Sequence, residues 1–193
     1  MEIAEAFLAD IIDNPDDDTP RLIFADWLDE HGNEARGEFI RVQCALAGYE
    51  KFTEQCECQR LLERDRPCDW CRLKKREREL MGVTSVCALW LDLVPCGVSE
   101  PFPQRGFLRS VTCTAANWVI HSDAILAIQP VVEVKLTDFR EPFRRDKGET
   151  AKAFADRIIA ALQEWAFLTL DTDIYEALGH LAHRRSLEVF PRP

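Results

Sequence analysis

Apolar residues recur at helical spacing at the start of the chain. Ile3, Phe7 and Ile11 follow one another at intervals of four residues, and Leu8 and Ile12 widen the stripe. This spacing predicts an amphipathic helix whose apolar face packs on a neighbouring element.

Two more helices are predicted before residue 50. Thr19 is expected at the N-cap of a helix with Pro20 at its first position, and Gly32 suits the left-handed position after a helix end. A helix of about three turns is therefore expected between them. A third helix is expected over roughly Glu34 to Tyr49.

Short strands and helices alternate in the second half of the chain. LRSVTC precedes the helical stretch NWVIHSDAILAIQP, VVEVKLTD follows it, and FLTLDTD and SLEVFP each come after a further helical stretch. A strand, a crossover helix and a parallel strand form a βαβ unit. Several such units would build either a small parallel sheet or a curved solenoid of leucine-rich-repeat type.

The segment between these halves differs in composition, because residues 51–80 hold four cysteines, few aliphatic residues and a mixed-charge run. We therefore predict three parts: a helical module at 1–50, a cysteine-rich connector at 51–85 and a leucine-rich-repeat-like β/α region at 86–193. The expected fold class is α+β to α/β.

Length and charge narrow the possible functions. A chain of 193 residues can bury a core, and its formal net charge of -10 disfavours general nucleic-acid binding, which needs cations facing the phosphates. The apolar runs are shorter than a membrane helix needs, and the acidic N-terminus is unlike a signal peptide. A cytoplasmic location without membrane contact is expected.

The connector carries two close cysteine pairs within QCECQRLLERDRPCDWCRL. Cys56 and Cys58 form the first pair, and Cys68 and Cys71 form the second. Zinc takes four thiolates at tetrahedral corners, and C-x-x-C lets one turn supply two of them. We predict a structural zinc ion on these four residues, although Cys87 or Cys96 could replace one ligand.

Two other interpretations of the same segment stay open. Cys68 and Cys71 have the C-x-x-C spacing of a thiol oxidoreductase, but they follow a charged stretch where such enzymes have a strand. Residues 60–78 carry a modest excess of basic side chains, and Trp70 could stack on a base, so a nucleic-acid-binding accessory role is the second alternative.

Catalytic signatures are sparse in the sequence. His180 and His183 stand three residues apart and could share a metal, but no acidic residue completes a known site. No phosphate-binding loop or nucleophile motif is present. A non-enzymatic protein is therefore expected.

One segment resembles a known family. The run FLADIIDNPDDDTPRLIFADWLDEHGNEARGEFIRVQ, with its DDDTPRL, ADWL, EHG and EFIR patterns, closely resembles the bacterial repeat-companion domain over about residues 5–45. CDWCRLKKRERELM and RGFLRSVTC also resemble the linker and first repeat strand of longer members. The resemblance implies a helical module upstream of degenerate leucine-rich-like repeats and an interaction role, and it implies no reaction.

Together these observations predict a protein-interaction module, acting as a scaffold, adaptor or accessory subunit of a larger complex. The zinc would hold the connector in shape, since few apolar residues are available there. The acidic balance favours a partner with a basic surface.

Overall fold

A computed structural model of the chain describes residues 3–49, 68–83, 86, 97–99, 103–169 and 172–189. The chain divides into two compact units. The described residues up to 86, together with 103–108, belong to the first unit, and 97–99 with the residues from 109 onward belong to the second. Both helices and strands are present, so the expected α+β class is confirmed.

The first unit begins with the three expected helices. They are α1 (Ile3–Asp13), α2 (Thr19–Glu30) and α3 (Glu34–Ala47). Their core contains Ile11, Phe24, Leu28 and Ile40, and Phe7 and Trp27 pack at its edge. Only part of the predicted stripe on α1 is buried, because Ile3 is 66% exposed.

The ends of α2 lie close to the expected positions. The N-cap is Asp18 and not the expected Thr19, and the Asp18 side chain makes no capping hydrogen bond. The Thr19 amide donates a hydrogen bond of 2.8 Å to an Asp17 carboxylate oxygen, which lowers the pKa of Asp17. At the other end Gly32 has a φ of 76°, the left-handed conformation that the sequence predicts there.

A fourth helix and two short strands also belong to the first unit. The helix α4 (Asp69–Met81) packs on α3, and strands β1 (Pro103–Gln104) and β2 (Phe107–Leu108) form an antiparallel hairpin. Gly106 has a φ of 83° and lies so close to Ile40 that a Cβ at position 106 would collide with it. Phe107 joins the helical core. The hairpin therefore belongs with helices some sixty residues away in sequence.

The second unit contains the first predicted βαβ unit. Strand β3 (Ser110–Cys113) leads through α5 (Ala115–Leu126) to β4 (Glu133–Leu136), which pairs with β3 in parallel. A short strand that the sequence did not predict, β5 (Phe143–Arg144), then pairs antiparallel with β4.

The remaining elements of the second unit are helices. They are α6 (Ala151–Thr169) and α7 (Thr172–Val189). The strand expected at FLTLDTD is wrong for the described residues, since 167–169 continue α6 and 172–173 begin α7. The strand expected at SLEVFP is wrong over residues 186–189, which belong to α7. No Gly or Pro occurs in residues 151–169, and α7 continues through Gly179 because a single glycine weakens a helix without ending it.

The leucine-rich-repeat-like arrangement is therefore not confirmed, since the described residues contain one parallel strand pair. Within the same residues, no helix combines the length and the apolarity needed to cross a membrane.

Candidate functional site

The first unit contains a groove with a volume of about 280 Å³. Parts of α3, α4 and the hairpin surround it. The residues lining it are Gln43, Leu46, Ala47, Tyr49, Trp70, Lys74, Glu77, Pro103, Gln104 and Arg105. This groove is the candidate functional site, because it combines aromatic walls with charged and hydrogen-bonding groups.

Helical spacing places one wall of the groove. Trp70, Lys74 and Glu77 stand at i, i+4 and i+7 on α4, so their side chains share one face of that helix. On α3, Gln43 and Leu46 are separated by three residues and also share a face. These two helix faces line opposite parts of the groove.

A buried polar centre closes one side of the groove. The side chain of Gln43 is 4% exposed, and its Nε2 donates hydrogen bonds to Glu77 Oε1 at 2.9 Å and to the Pro103 carbonyl at 3.1 Å. Its Oε1 accepts a hydrogen bond of 2.7 Å from the Gly106 amide. Glu77 is 7% exposed. Gln43 therefore joins α3 to α4 and to the hairpin.

The positive charges that line the groove are balanced by carboxylates of the same unit. Lys74 Nζ lies 2.9 Å from Glu77 Oε2. Arg105 Nη1 donates to Asp18 Oδ1 at 3.0 Å and to the Asp16 carbonyl at 2.9 Å. The acidic loop at residues 16–18 consequently borders the groove.

The predicted zinc ligands are placed only in part. Cys68 is the N-cap residue of α4 and Cys71 lies in its first turn, so the C-x-x-C pair stands at a helix start and both residues are partly exposed. Cys56 and Cys58 lie outside the described residues, as do Cys87 and Cys96. No group of three metal-ligating side chains occurs among the described residues. The four-cysteine site stays a prediction.

Two other cysteines are buried away from these pairs. Burial raises the pKa of the Cys44 thiol to about 12 and that of the Cys113 thiol to about 12. The thiolate is the reactive form of cysteine, so neither buried thiol is a reactive nucleophile at neutral pH.

The basic run on α4 is largely paired with acidic residues. Arg72 contacts Asp69, and Arg76 makes a two-pronged contact with Glu38 of α3 at 2.6 and 2.7 Å. These hydrogen bonds raise the pKa of Arg76. Lys75 reaches Glu79 at 4.0 Å. Nucleic-acid binding through residues 60–78 stays a prediction, and these ion pairs do not favour it.

The three arginines of residues 3–49 all contact groups of their own unit. Arg21 is buried and donates to three backbone carbonyls, at Asn14, Pro15 and Asp17. The Arg36 guanidinium lies over the Phe24 ring at 5.5 Å, and burial lowers its pKa to about 10.

Arg41 is the third, and it bridges α2 and α3. It contacts Asp26 at 2.6 Å and Asp29 at 2.7 Å.

The acidic residues of residues 3–49 largely point outward. Residues 3–49 contain eleven acidic side chains and three basic ones, so they hold most of the net charge of the protein. Eight of the eleven are exposed: Glu5, Asp10, Asp13, Asp16, Asp17, Asp26, Glu30 and Glu34. We call these eight residues the acidic surface.

The histidines form no metal site in the part of the chain that the structure covers. His180 and His183 are exposed on α7, and His180 Nε2 lies 3.7 Å from Glu176. His31 stacks on Trp27, with ring centroids 3.9 Å apart.

Sequence reasoning singled out Trp70 but missed Gln43, Glu77 and the hairpin. The signals were present, since Trp70, Lys74 and Glu77 follow helical spacing and Gly106 marks a tight turn. The partner of each element could not be read from local spacing.

The described residues thus define an α+β protein with an acidic helical unit and an aromatic groove. Comparison with known protein families, curated proteins and solved structures found no match. The resemblance to the repeat-companion domain stays a prediction.

Proposed function

We propose that this protein is a non-enzymatic interaction module, a scaffold or adaptor that docks a partner with a basic surface within a larger cytoplasmic assembly. The observation that carries the proposal is the orientation of charge in residues 3–49. The arginines there bind carbonyls, aromatic rings or carboxylates of their own unit, while eight carboxylates face outward. Such a surface attracts a cationic partner and steers its approach.

Exposed apolar side chains on the same helices support the proposal. Leu22 is 41% exposed and Ile23 is 48% exposed on α2, and Ile3 is exposed on α1. Charge alone gives weak, salt-sensitive contacts, whereas buried apolar side chains supply affinity at the centre of an interface. The combination suits a partner that is basic and partly apolar.

The proposal can be tested by affinity capture with three forms of the full chain. They are the wild type, a variant with Asp13→Asn, Glu30→Gln and Glu34→Gln, and a control with Glu141→Gln, Glu164→Gln and Asp173→Asn. The control removes three exposed carboxylates from the second unit.

We expect a basic partner protein to be retained by the wild type and by the control, and to be lost from the first variant. Mass spectrometry would identify the retained protein, and its sequence would show whether it is basic. Equal retention of the same proteins by all three forms would contradict the proposal.

We further propose that a structural zinc ion on Cys56, Cys58, Cys68 and Cys71 orders the connector. The position of Cys68 and Cys71 at the start of α4 supports this, since a helix N-terminus favours negatively charged thiolates. Elemental analysis should find about one zinc ion per chain, and the double variant Cys68→Ser, Cys71→Ser should lose it. Metal-free protein with freely reacting thiols would refute the site.

A further inference from the structure

We propose that the groove of the first unit binds a cationic side chain, an arginine or a lysine, from an extended segment of the partner. The side chain would pack on Trp70 and Tyr49 and pair with Glu77. This inference rests on the proposed function, because it assumes a basic partner.

The groove has the components of a cation site. Trp70 and Tyr49 supply aromatic faces, whose negative electrostatic potential attracts arginine and lysine. Glu77 supplies a carboxylate that stays in place, because Gln43 Nε2 holds one of its oxygens at 2.9 Å. A carboxylate offers about four acceptor positions, and the hydrogen bonds from Gln43 and Lys74 use two of them. Glu77 can therefore accept another hydrogen bond.

The surrounding charge favours a cation over an anion. Each cation that lines the groove is already paired, Lys74 with Glu77 and Arg105 with Asp18. The neighbouring loop leaves Asp16 and Asp17 exposed. A cationic segment that reaches the groove therefore meets exposed carboxylates beside it.

The size of the groove limits what enters it. About 280 Å³ accommodates one or two long side chains and is small for a folded element. The occupant is therefore a side chain of an extended segment that lies along the acidic loop.

The test uses the full chain labelled with 15N and three short peptides that alternate glycine with arginine, lysine or glutamate. The readout is the indole N–H signal of Trp70, which is assigned from its loss in Trp70→Phe. We expect the arginine and lysine peptides to shift this signal to saturation and the glutamate peptide to leave it unchanged.

Variants separate groove binding from general attraction. Trp70→Leu keeps apolar bulk and removes the aromatic face, and Glu77→Gln keeps the hydrogen bond from Gln43 and removes the charge. We expect each to raise the Kd for the arginine peptide about fivefold or more, since a cation over an aromatic ring or a buried carboxylate contributes at least that much. Trp165→Leu, in the second unit, is the control and should leave the Kd unchanged.

The outcomes distinguish the two proposals. If the groove variants keep the wild-type Kd while the variant with Asp13→Asn, Glu30→Gln and Glu34→Gln weakens binding, the groove inference is overturned and the proposed function stands. If no cationic peptide binds even at low salt, both are overturned. Equal binding of the glutamate peptide would also overturn the groove inference.

Discussion

Replacing Gln43 by glutamate tests the polar centre of the groove with almost no change in shape. Glutamate keeps the oxygen that accepts from the Gly106 amide, and it loses the two donors that face Glu77 and the Pro103 carbonyl. Two hydrogen bonds worth about 1 kcal/mol each are removed. A second carboxylate is also placed about 3 Å from the first, where the repulsion at an effective dielectric constant of about 20 reaches roughly 5 kcal/mol.

The protein can avoid most of this repulsion by protonating one carboxyl group. The pKa of the introduced carboxyl is therefore raised in the folded state above its unfolded value. Because this pKa is higher in the folded state, the variant is most stable at pH values below the pKa of the unfolded state. It loses stability as the pH rises through the pKa of the folded state. We expect Gln43→Glu to reduce the free energy of unfolding by about 2 kcal/mol at pH 5, from the lost hydrogen bonds, and by about 4 kcal/mol or more at pH 8.

Urea unfolding between pH 5 and pH 8, with the wild-type profile subtracted, measures this difference. Gln104→Glu is the matched control, because Gln104 is exposed on the same hairpin and undergoes the same change of charge. It should change stability by less than about 0.5 kcal/mol at any pH. If the two variants behave alike at pH 8, Gln43 does not hold the helices and hairpin together as described.

Other residues give independent tests. Gly106→Ala should cost about 3 kcal/mol in urea unfolding, because a left-handed backbone and a collision with α3 act together, whereas Gly148→Ala, with a φ of 82° and open space around it, should cost about 1 kcal/mol. Cys113 should resist alkylation at pH 8 in the folded protein and react in urea, since burial raises its pKa to about 12; equal rates would contradict the burial. The hydrogen bond from Arg157 lowers the pKa of Glu149, so Glu149→Gln should reduce stability at pH 7, with the difference from wild type vanishing as the pH falls through that lowered pKa. A difference that persists in acid would refute this last assignment.

Local patterns were sufficient for the N-terminal helices. The apolar spacing, the Thr19–Pro20 start and the left-handed Gly32 are short-range signals, and each depends on residues within one or two turns.

Long-range pairings could not be predicted in the same way. Gln43 meets Gly106 across 63 residues and Glu38 meets Arg76 across 38 residues, and no periodicity in either segment indicates the other. The segment GFLRSVTC resembles one continuous strand, yet it divides at Arg109 between β2 of the first unit and β3 of the second. The segment divides there because its two parts pair with different strands, and local sequence does not specify which strands pair.

The polarity of the groove follows from the hairpin. The Pro103 carbonyl and the Gly106 amide both face α3 at buried positions, and leaving either unpaired would cost more than a hydrogen bond usually contributes. An apolar residue at position 43 would leave both groups unsatisfied, so a side chain with both donor and acceptor is required. Gln43 then has one donor left for Glu77, and this contact holds a carboxylate at the groove wall. The same requirement that fixes the hairpin therefore supplies the negative charge on which recognition of a cation depends.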